Sequence, residues 1–484
     1  MKINLDFKKM GKAQFGLGFL VVFFICFFSW FTLRKFEHGM WCGYDQTLWC
    51  QVLWTTLHGK LMWGSFLGIN GLCHLAEHVT LTILLWLPLY FIFPFPATLS
   101  IVQVFLLGTS AVIVYLIAKD KIDSGAALMF TLFYLTNNFI IQAVIEGFQT
   151  RTMTVPFCFF AFYFLFKKQY FWFSVFLFLL ALSHGIGCLI VCMFGLYLVF
   201  AQRELFLGAL IFILSLAWFF ISIKIIQPHL GLAEPLGALH FVAGGKILSS
   251  PADIMQYCFA HPIIVFKEMF TDTKFDYLLR LFLPLGFLPL FSPQELLVGL
   301  PVFLQNFALS KHLIGIEIPR YTMLLIPALF ISSINSVSYL CKKWRRARIY
   351  IFALLFISWA FSTYKFIWDP SYNPRFLQVL SRVPDELRVH RKALQIISKL
   401  VPANASVCAD MKAMPFLANR FELYDMPFHI KESDYLLIDT KDPVFSPKPT
   451  LSLGQCFKIV NNELRSPNYT IVKFKDKIIL LKRK

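Results

Sequence analysis

Long apolar segments recur along this chain, and they restrict its fold more than any other feature. A helix that spans a bilayer needs about 20 mostly apolar residues, because its backbone polar groups must be satisfied within the segment. The runs that meet or approach this length are 15–34, 98–118, 125–144, 152–166, 170–183, 185–201, 205–226, 276–292, 295–309, 320–340 and 349–367. The sequence therefore predicts an α-helical polytopic membrane protein with roughly eleven spans.

Composition indicates the same class of protein. The 484 residues are 58% hydrophobic and 15% charged, whereas soluble domains are about 45–50% apolar and about 25% charged. The formal net charge of +18 would suit a nucleic-acid-binding protein, but Lys and Arg form short runs between apolar segments. Such runs are typical of cytoplasmic loops, and none accompanies a nucleic-acid recognition motif. We therefore expect the lipid bilayer as a partner and no nucleic acid.

The ends of the first apolar run predict an uncleaved membrane anchor. Four lysines, at positions 2, 8, 9 and 12, precede the run, and no small-residue cleavage site follows it. This pattern is typical of a start-transfer segment with a cytoplasmic N-terminus. The 11 cysteines include no CxxC pair and no Cys/His spacing typical of zinc sites. Cys42 and Cys50 flank Asp45 and are either a disulfide pair or two free thiols.

The segment 78–95 decides the sidedness of everything after it. It is apolar, but it contains Pro88 and Pro94, is followed directly by Pro96, and joins the next run with almost no turn. If it crossed the membrane, the basic loops 118–121, 166–168 and 341–348 would all lie outside. Because basic residues in short loops face the cytoplasm, we expect 78–95 to lie along the outer interface instead. The C-terminus is then extracytoplasmic, and the localisation is the bacterial inner membrane.

This topology divides the chain into two domains. Residues 1–370 form the multi-span membrane domain, with a long first outer loop at 35–97. Within that loop, residues 41–58 have the apolar spacing of a helix lying in the interface. Residues 371–484 have ordinary charge content and alternate helical and strand patterns, which predicts a small extracytoplasmic α/β domain. The predicted linker is SYNPRF at 371–376.

The order of these parts resembles the GT-C glycosyltransferase architecture. The shared parts are one span, a long outer loop with interfacial helices and an early Asp, many further spans, and an outer α/β domain. The resemblance implies an enzyme that moves a sugar from a polyprenyl-phosphate carrier to an acceptor at the outer membrane face.

Nearly the whole chain also resembles a family of bacterial polytopic membrane proteins described as a domain of unknown function. The matching stretches are YDQTLW…HGK (44–60), EHVTLTILLWLPLYFIFPFPATLSIVQ (77–103), GFQTRTMTVPFCFFAFY (147–163), LFLPLGFLPLFSP (281–293), IPRYTMLLIPALF (318–330), SVCADMKAMPFLANRFELYDMP (406–427) and SDYLLID (433–439).

The chain departs from the family pattern at several polar positions. Gln149, Thr150 and Arg151 stand where the family has a His-Pro-acid cluster. His184 and Gly185 replace an acidic pair, and Arg320-Tyr321 replaces a His-Tyr pair. Asp45 and His78 are kept. Fewer acidic positions argue against metal-assisted catalysis, so the cofactor stays unknown, and a divalent metal is not favoured.

Asp45 is the candidate catalytic residue that the resemblance implies. A carboxylate near the acceptor orients it or removes its proton. The alternative is a structural role, because Asp is a favoured N-cap and an interfacial helix is expected to begin near Gln46. One residue can serve both purposes.

Arg151 and Arg320 are the candidate carrier-phosphate-binding residues. Each begins a predicted span at its outer end, and the planar guanidinium suits bidentate contact with phosphate. The alternative is an interfacial Arg whose head group reaches lipid head groups.

Further polar residues on the outer side are candidates to line a site. They are Glu77, His78, Glu146, His184 and Tyr321. Glu77 and His78 alternatively form a capping pair for the following helix, and Glu146 alternatively pairs with Arg151. His74 lies four residues before His78, but no third metal ligand is close in sequence.

Three functions remain open at this point. The first is a glycosyltransferase with a lipid-phosphate sugar donor, active or degenerate. The second is a non-catalytic scaffold that assembles envelope proteins, which the lost acidic positions favour. The third is a lipid or solute transporter, which normally carries charged residues at mid-bilayer depth. Lys224 and Glu295 lie instead near the ends of predicted spans.

Overall fold

The computed structural model of this protein describes most of the chain. The described residues are 11–40, 43–65, 67, 71–231, 241–243, 246–248, 256, 260, 261, 263, 267, 271–308, 321–369, 372–441, 453–464 and 466–484. Two sequence predictions, the phosphate-binding role of Arg320 and the pairing of Cys42, concern residues outside this set. Cys50 is a free, buried thiol.

Within the described ranges, seven helices are long and apolar enough to cross a membrane. They are Lys12–Glu37, Pro96–Lys121, Ser124–Glu146, Gly185–Gln202, Leu205–His229, Met323–Lys343 and Arg345–Trp368. Shorter apolar helices are Leu81–Ile92, Thr150–Phe166, Tyr170–Ala181 and Leu296–Phe307. The predicted polytopic helical fold is confirmed, although the predicted spans 152–166, 170–183 and 295–309 are among the shorter helices.

One predicted span, 276–292, is not a single helix. The helix Asp272–Phe282 is followed by the short 3-10 turns Leu283–Leu285 and Leu288–Phe291. Each turn contains a proline, which removes a backbone donor and disfavours a continuing helix. Gly286 between them has a φ of +58°, in the left-handed region that ends helices.

The segment 78–95 does not cross the helical bundle. Its helical part, Leu81–Ile92, has both ends close to the C-terminal domain side. Near its start, the Thr82 N–H donates to the Leu182 carbonyl at 3.4 Å. Near its end, the Tyr90 hydroxyl donates to Oδ1 of Asn419 at 2.8 Å. This geometry agrees with the interfacial position expected from the loop charges.

The basic loops meet at the opposite end of the bundle. Nζ of Lys167 lies 2.8 Å from Oδ2 of Asp120, and Arg348 pairs with Asp123. Both carboxylates lie at or just after the end of the helix Pro96–Lys121, which begins at the C-terminal domain side. The three basic loops therefore share one end of the bundle, and the first loop and C-terminal domain share the other.

The C-terminal domain contains a five-stranded sheet. In spatial order its strands are Leu423–Asp425, Val407–Ala409, Tyr435–Asp439, Ile478–Arg483 and Tyr469–Lys475. The first three are parallel and the last two are antiparallel. The helices of this domain are Pro374–Leu380, Asp385–Ser398, Met414–Leu417 and Leu453–Leu464.

The predicted linker at 371–376 is partly helical and packed. Pro374 starts a helix, where its missing N–H and fixed φ are tolerated. Phe376 is buried, and its ring stacks on Phe31 of the first long helix, with centroids 5.4 Å apart. The segment predicted as the linker therefore contributes Phe376 to the core of the helical bundle.

The predicted interfacial helix at 41–58 forms, as Gly43–Leu57. It is enclosed by protein, however, and both its apolar and its polar side chains are buried. Nε2 of Gln51 donates to the Arg420 carbonyl at 3.0 Å, and the Leu423 N–H donates to Oγ of Ser65 at 2.9 Å. The C-terminal domain thus covers this helix, which the apolar spacing alone did not indicate.

Candidate functional site

A polar cavity of about 290 Å³ lies between the first loop and the bundle. Its lining residues are Tyr44, Asp45, Leu48, Trp49, His74, Glu77, His78, Gln149, Thr150, Arg151, His184 and Tyr321. They come from the helix Gly43–Leu57, the turn before Leu81, the turn Thr150–Met153, and the starts of two long helices. Side chains far apart in sequence therefore meet in one place.

Asp45 lies in the first turn of the helix Gly43–Leu57 and lines this cavity. The helix begins two residues before Asp45, so the predicted N-cap role is wrong. A negative charge in the first turn is still favourable, since it faces the positive end of the helix dipole. Asp45 therefore contributes a carboxylate to the lining of the cavity.

Arg151 is held by two aromatic neighbours from other helices. Its guanidinium carbon lies 4.1 Å from the centre of the Tyr321 ring, within range for a cation–π contact. Its Nε lies 3.3 Å from Nε2 of His184. These two contacts fix the orientation of the Arg151 guanidinium. Its two terminal nitrogens have the planar geometry that suits an anion in the cavity.

His184 is the N-cap of the helix Gly185–Tyr197. Its Nδ1 accepts a hydrogen bond from the Ile186 N–H at 3.2 Å. Both Ile186 and Arg151 present an N–H group to the His184 ring, but a neutral imidazole has only one nitrogen that can accept a hydrogen bond. In either tautomer, therefore, His184 accepts a hydrogen bond from only one of these two residues. Burial, and then the charge of Arg151, lower the pKa of His184 well below its usual value. His184 is therefore neutral near pH 7.

His74 and His78 complete a row of three imidazoles. The ring of His78 lies 4.8 Å from that of His184 and 6.0 Å from that of His74. Desolvation, with a smaller effect of Arg151, lowers the pKa of His78 to about 4. Desolvation, with a smaller effect of His78, lowers the pKa of His74 to about 3. The row is uncharged at neutral pH, and Arg151 is the cation among the described lining residues.

Glu77 and Glu146 have different positions. Glu77 lines the cavity, and its Oε2 lies 3.6 Å from Nδ1 of His74. Glu77 ends the turn His74–Ala76, while Thr80 precedes the next helix, so the predicted helix-capping pair of Glu77 and His78 was wrong. Glu146 ends the helix Asn138–Glu146 and is not among the described cavity-lining residues, contrary to expectation.

Several lining residues were missed as site candidates in the sequence. They are Tyr44, Leu48, Trp49, His74, Gln149 and Thr150. The spacing between His74 and His78 was a usable signal, since four residues correspond to about one helical turn. Within the described ranges, no group of three or more His, Cys, Asp or Glu side chains is placed to hold a metal ion.

The helical bundle, the enclosed first loop and the α/β domain above a polar cavity define a membrane protein of GT-C-like architecture. A family model for predicted membrane proteins matches residues 40–480. The chain belongs to that family, DUF2079. No functionally curated protein matches the sequence.

Two crystal structures of ArnT from Cupriavidus metallidurans are similar to this structure over nearly the full length. The complex with undecaprenyl phosphate has a TM-score of 0.53 and 10% identity, covering 95% of this chain and 97% of ArnT. The apo structure has a TM-score of 0.50 and 10% identity, covering 97% and 98%. At this identity the likeness shows the fold alone.

Proposed function

We propose that this protein is a membrane glycosyltransferase that takes its sugar from a polyprenyl-phosphate carrier. The observation that carries the proposal is the meeting of Asp45, Arg151 and the neutral imidazoles in one polar cavity. The supporting comparison is the fold shared with ArnT, whose crystal structure contains undecaprenyl phosphate. Phosphate recognition and a positioned carboxylate are the two elements that such a transfer requires.

In the proposed reaction, an acceptor hydroxyl attacks the anomeric carbon of the carrier-linked sugar. The bond between that carbon and the phosphate oxygen breaks, and the electron pair leaves with the carrier phosphate. Arg151 stabilises the phosphate charge that develops, and Asp45 accepts the proton of the acceptor hydroxyl. The neutral His78 supplies an N–H donor without adding charge, and the neutral His184 contacts Nε of Arg151 and helps to position its guanidinium.

A non-catalytic scaffold is the second candidate. Gln149, Thr150 and Arg151 line the cavity at positions where the family resemblance implies a His-Pro-acid cluster. An amide, a hydroxyl and a guanidinium cannot replace the histidine and the carboxylate of that cluster as bases at neutral pH. A scaffold would keep the fold and the domain contacts but would not need a lipid carrier in the cavity.

Carrier binding separates these two candidates. We expect Arg151→Gln to weaken binding of undecaprenyl phosphate by about tenfold, because one charge-assisted contact is lost. Binding can be measured by native mass spectrometry of the purified protein titrated with the lipid. The matched control is Arg346→Gln, an exposed Arg in the basic loop at the far end of the bundle. Equal affinity in both variants, or no binding by the wild type, would argue for the scaffold.

We further propose that the cavity faces the extracytoplasmic side of the bacterial inner membrane, with the N-terminus in the cytoplasm. The support is the separation of the three basic loops from the cavity and the C-terminal domain. A C-terminal epitope tag should react with antibody after outer-membrane permeabilisation alone, and an N-terminal tag only after lysis of the inner membrane. The reverse pattern would place the cavity in the cytoplasm.

A further inference from the structure

A second polar cavity, of about 380 Å³, lies where the first long helix meets the C-terminal domain. We call it the junction cavity. His38 contributes to it from the end of the helix Lys12–Glu37, and Arg391, Lys412 and Lys441 contribute from the C-terminal domain. None of these residues takes part in the polar cavity described above.

Positive charge predominates among the described residues of the junction cavity. Its carboxylate, Asp439, is engaged by its own domain: Nε2 of His390 lies 2.8 Å from Oδ2. Oδ1 of Asp439 accepts the Lys441 backbone N–H at 2.9 Å. Outside the lining, Nζ of Lys441 lies 4.0 Å from Oε2 of Glu386. Three basic side chains and one carboxylate therefore line the cavity.

His38 adds a buried polar ring nitrogen to the cavity. The residue is 7% exposed, and its Nε2 is buried with no hydrogen-bond partner among the described residues. A buried polar atom left in this state costs about 1–3 kcal/mol. In a native structure such an atom calls for an explanation, and a ligand in the adjoining cavity provides one.

Arg391 gives a second reason to expect an anion. It is buried, and desolvation lowers its pKa to about 9, although Glu37 opposes this change. A bound anion would offset more of the cost of burying the guanidinium. The planar fork of Arg matches the oxygen geometry of phosphate, while the lysines add point charges around it.

The position of the cavity indicates which anion reaches it. His38 follows the last residue of a membrane-spanning helix, so the cavity lies at the level where lipid head groups end. Its floor is the first span and its wall is the C-terminal domain. Phosphate groups are the anions most concentrated at this level.

We propose that the junction cavity is a binding site for a phosphate group, carried by a lipid head group or by a free phosphate ester. The inference does not depend on the proposed transferase activity. The junction cavity and the polar cavity are close along the chain, because Met40 lines the junction cavity and Tyr44 lines the polar cavity. Four residues span at most about 14 Å, so one ligand chain can extend from this site toward Asp45.

The test uses the purified full-length protein after removal of co-purifying lipid. Monodisperse dihexanoyl-phosphatidylglycerol and inorganic phosphate are titrated separately by calorimetry. The double variant Lys412→Gln/Lys441→Gln should bind the better probe about tenfold or more weakly. The matched control Lys392→Gln/Lys399→Gln removes two exposed lysines from the same region that do not line the cavity, and should change affinity less than about twofold.

The outcomes separate the sources and the alternatives. Saturable binding of the lipid probe alone assigns the site to a head group, and binding of inorganic phosphate as well shows that a free ester fits. Either assignment also requires that Lys412→Gln/Lys441→Gln binds the probe more weakly than the wild type. Equal affinities in the two double variants, or no saturable binding of either probe by the wild type, would overturn the proposal. Binding of undecaprenyl phosphate by Arg151→Gln is a separate measurement, so failure of the transferase proposal is recognised separately.

Discussion

Replacing Asp45 with Asn should reduce sugar transfer from a polyprenyl-phosphate sugar by about 10²–10⁴-fold, the usual contribution of a general base. The amide keeps the size and most hydrogen bonds of the carboxylate but cannot accept the acceptor proton. The side chain sits at the cavity in the first helical turn, so the change is local. Transfer is measured in membranes supplied with a panel of carrier-linked sugars and endogenous acceptor.

The matched control for this experiment is Asp385→Asn. Asp385 also lies in the first turn of a helix, but it is on the C-terminal domain surface and its side chain is 71% exposed. We expect this variant to transfer at the wild-type rate. The expression level and melting temperature of both variants should match the wild type. If Asp45→Asn retained full transfer, Asp45 would have no part in the chemistry, and the base would have to be sought at Glu77.

The C-terminal domain was the most predictable part of the fold. Alternating helical and strand patterns at 371–484 predicted an α/β region, and the structure has a five-stranded sheet with helices there. The closing hairpin illustrates why. Asp476 and Lys477 both have positive φ, of 51° and 64°, which is the geometry of a two-residue hairpin turn. The turn therefore sets the register of the last two strands next to it, and a bulge between Ile471 and Lys473 shifts the register farther along.

Burial of the first-loop helix could not be predicted in the same way. The spacing of Leu48 and Val52 fits a helix lying in the membrane interface, and it fits equally a helix covered by another domain. The deciding contacts come from Arg420 and Leu423, more than 350 residues later in the chain. Periodicity reports which face is apolar and does not report what covers it.

The sequence predicted several of the residues that line the candidate site, but it did not predict how they are arranged. Loop charge placed Asp45, His78, Arg151 and His184 on one side of the membrane, and the structure brings them to one cavity. Glu146 was expected on the same side of the membrane, but it is not among the described residues that line this cavity. The side of the membrane on which a residue lies does not determine where on that surface it lies. Trp49 carries no sequence signal that distinguishes it from core residues, and Gln149 stood out only as a departure from the family pattern.

The buried histidine row should make the protein lose stability as the pH falls. Burial lowers the pKa of His74 to about 3, whereas an unfolded His titrates near 6.5. Between these values the unfolded chain binds a proton that the folded protein does not, so stability is complete above about pH 7 and decreases below it. At pH 5 the loss from one such histidine is about 2 kcal/mol, or roughly 30-fold in the folding equilibrium.

His74→Leu isolates the contribution of one histidine to this pH dependence. His74 is 1% exposed and packs edge-on against Trp49. Neither of its ring nitrogens has a hydrogen-bond partner in the described structure. Leu fills the space and does not titrate. Asp410 titrates in the opposite sense, since burial raises its pKa to about 7, so the informative quantity is the difference between variant and wild type. Unfolding free energies are measured in detergent at pH 7 and pH 5. Between these two values, His74→Leu should lose about 2 kcal/mol less unfolding free energy than the wild type.

The control is His58→Gln, at an exposed position, whose unfolding free energy should depend on pH as that of the wild type does. The same slope in all three proteins would mean that His74 is protonated in the folded state, and the uncharged histidine row would no longer describe this cavity.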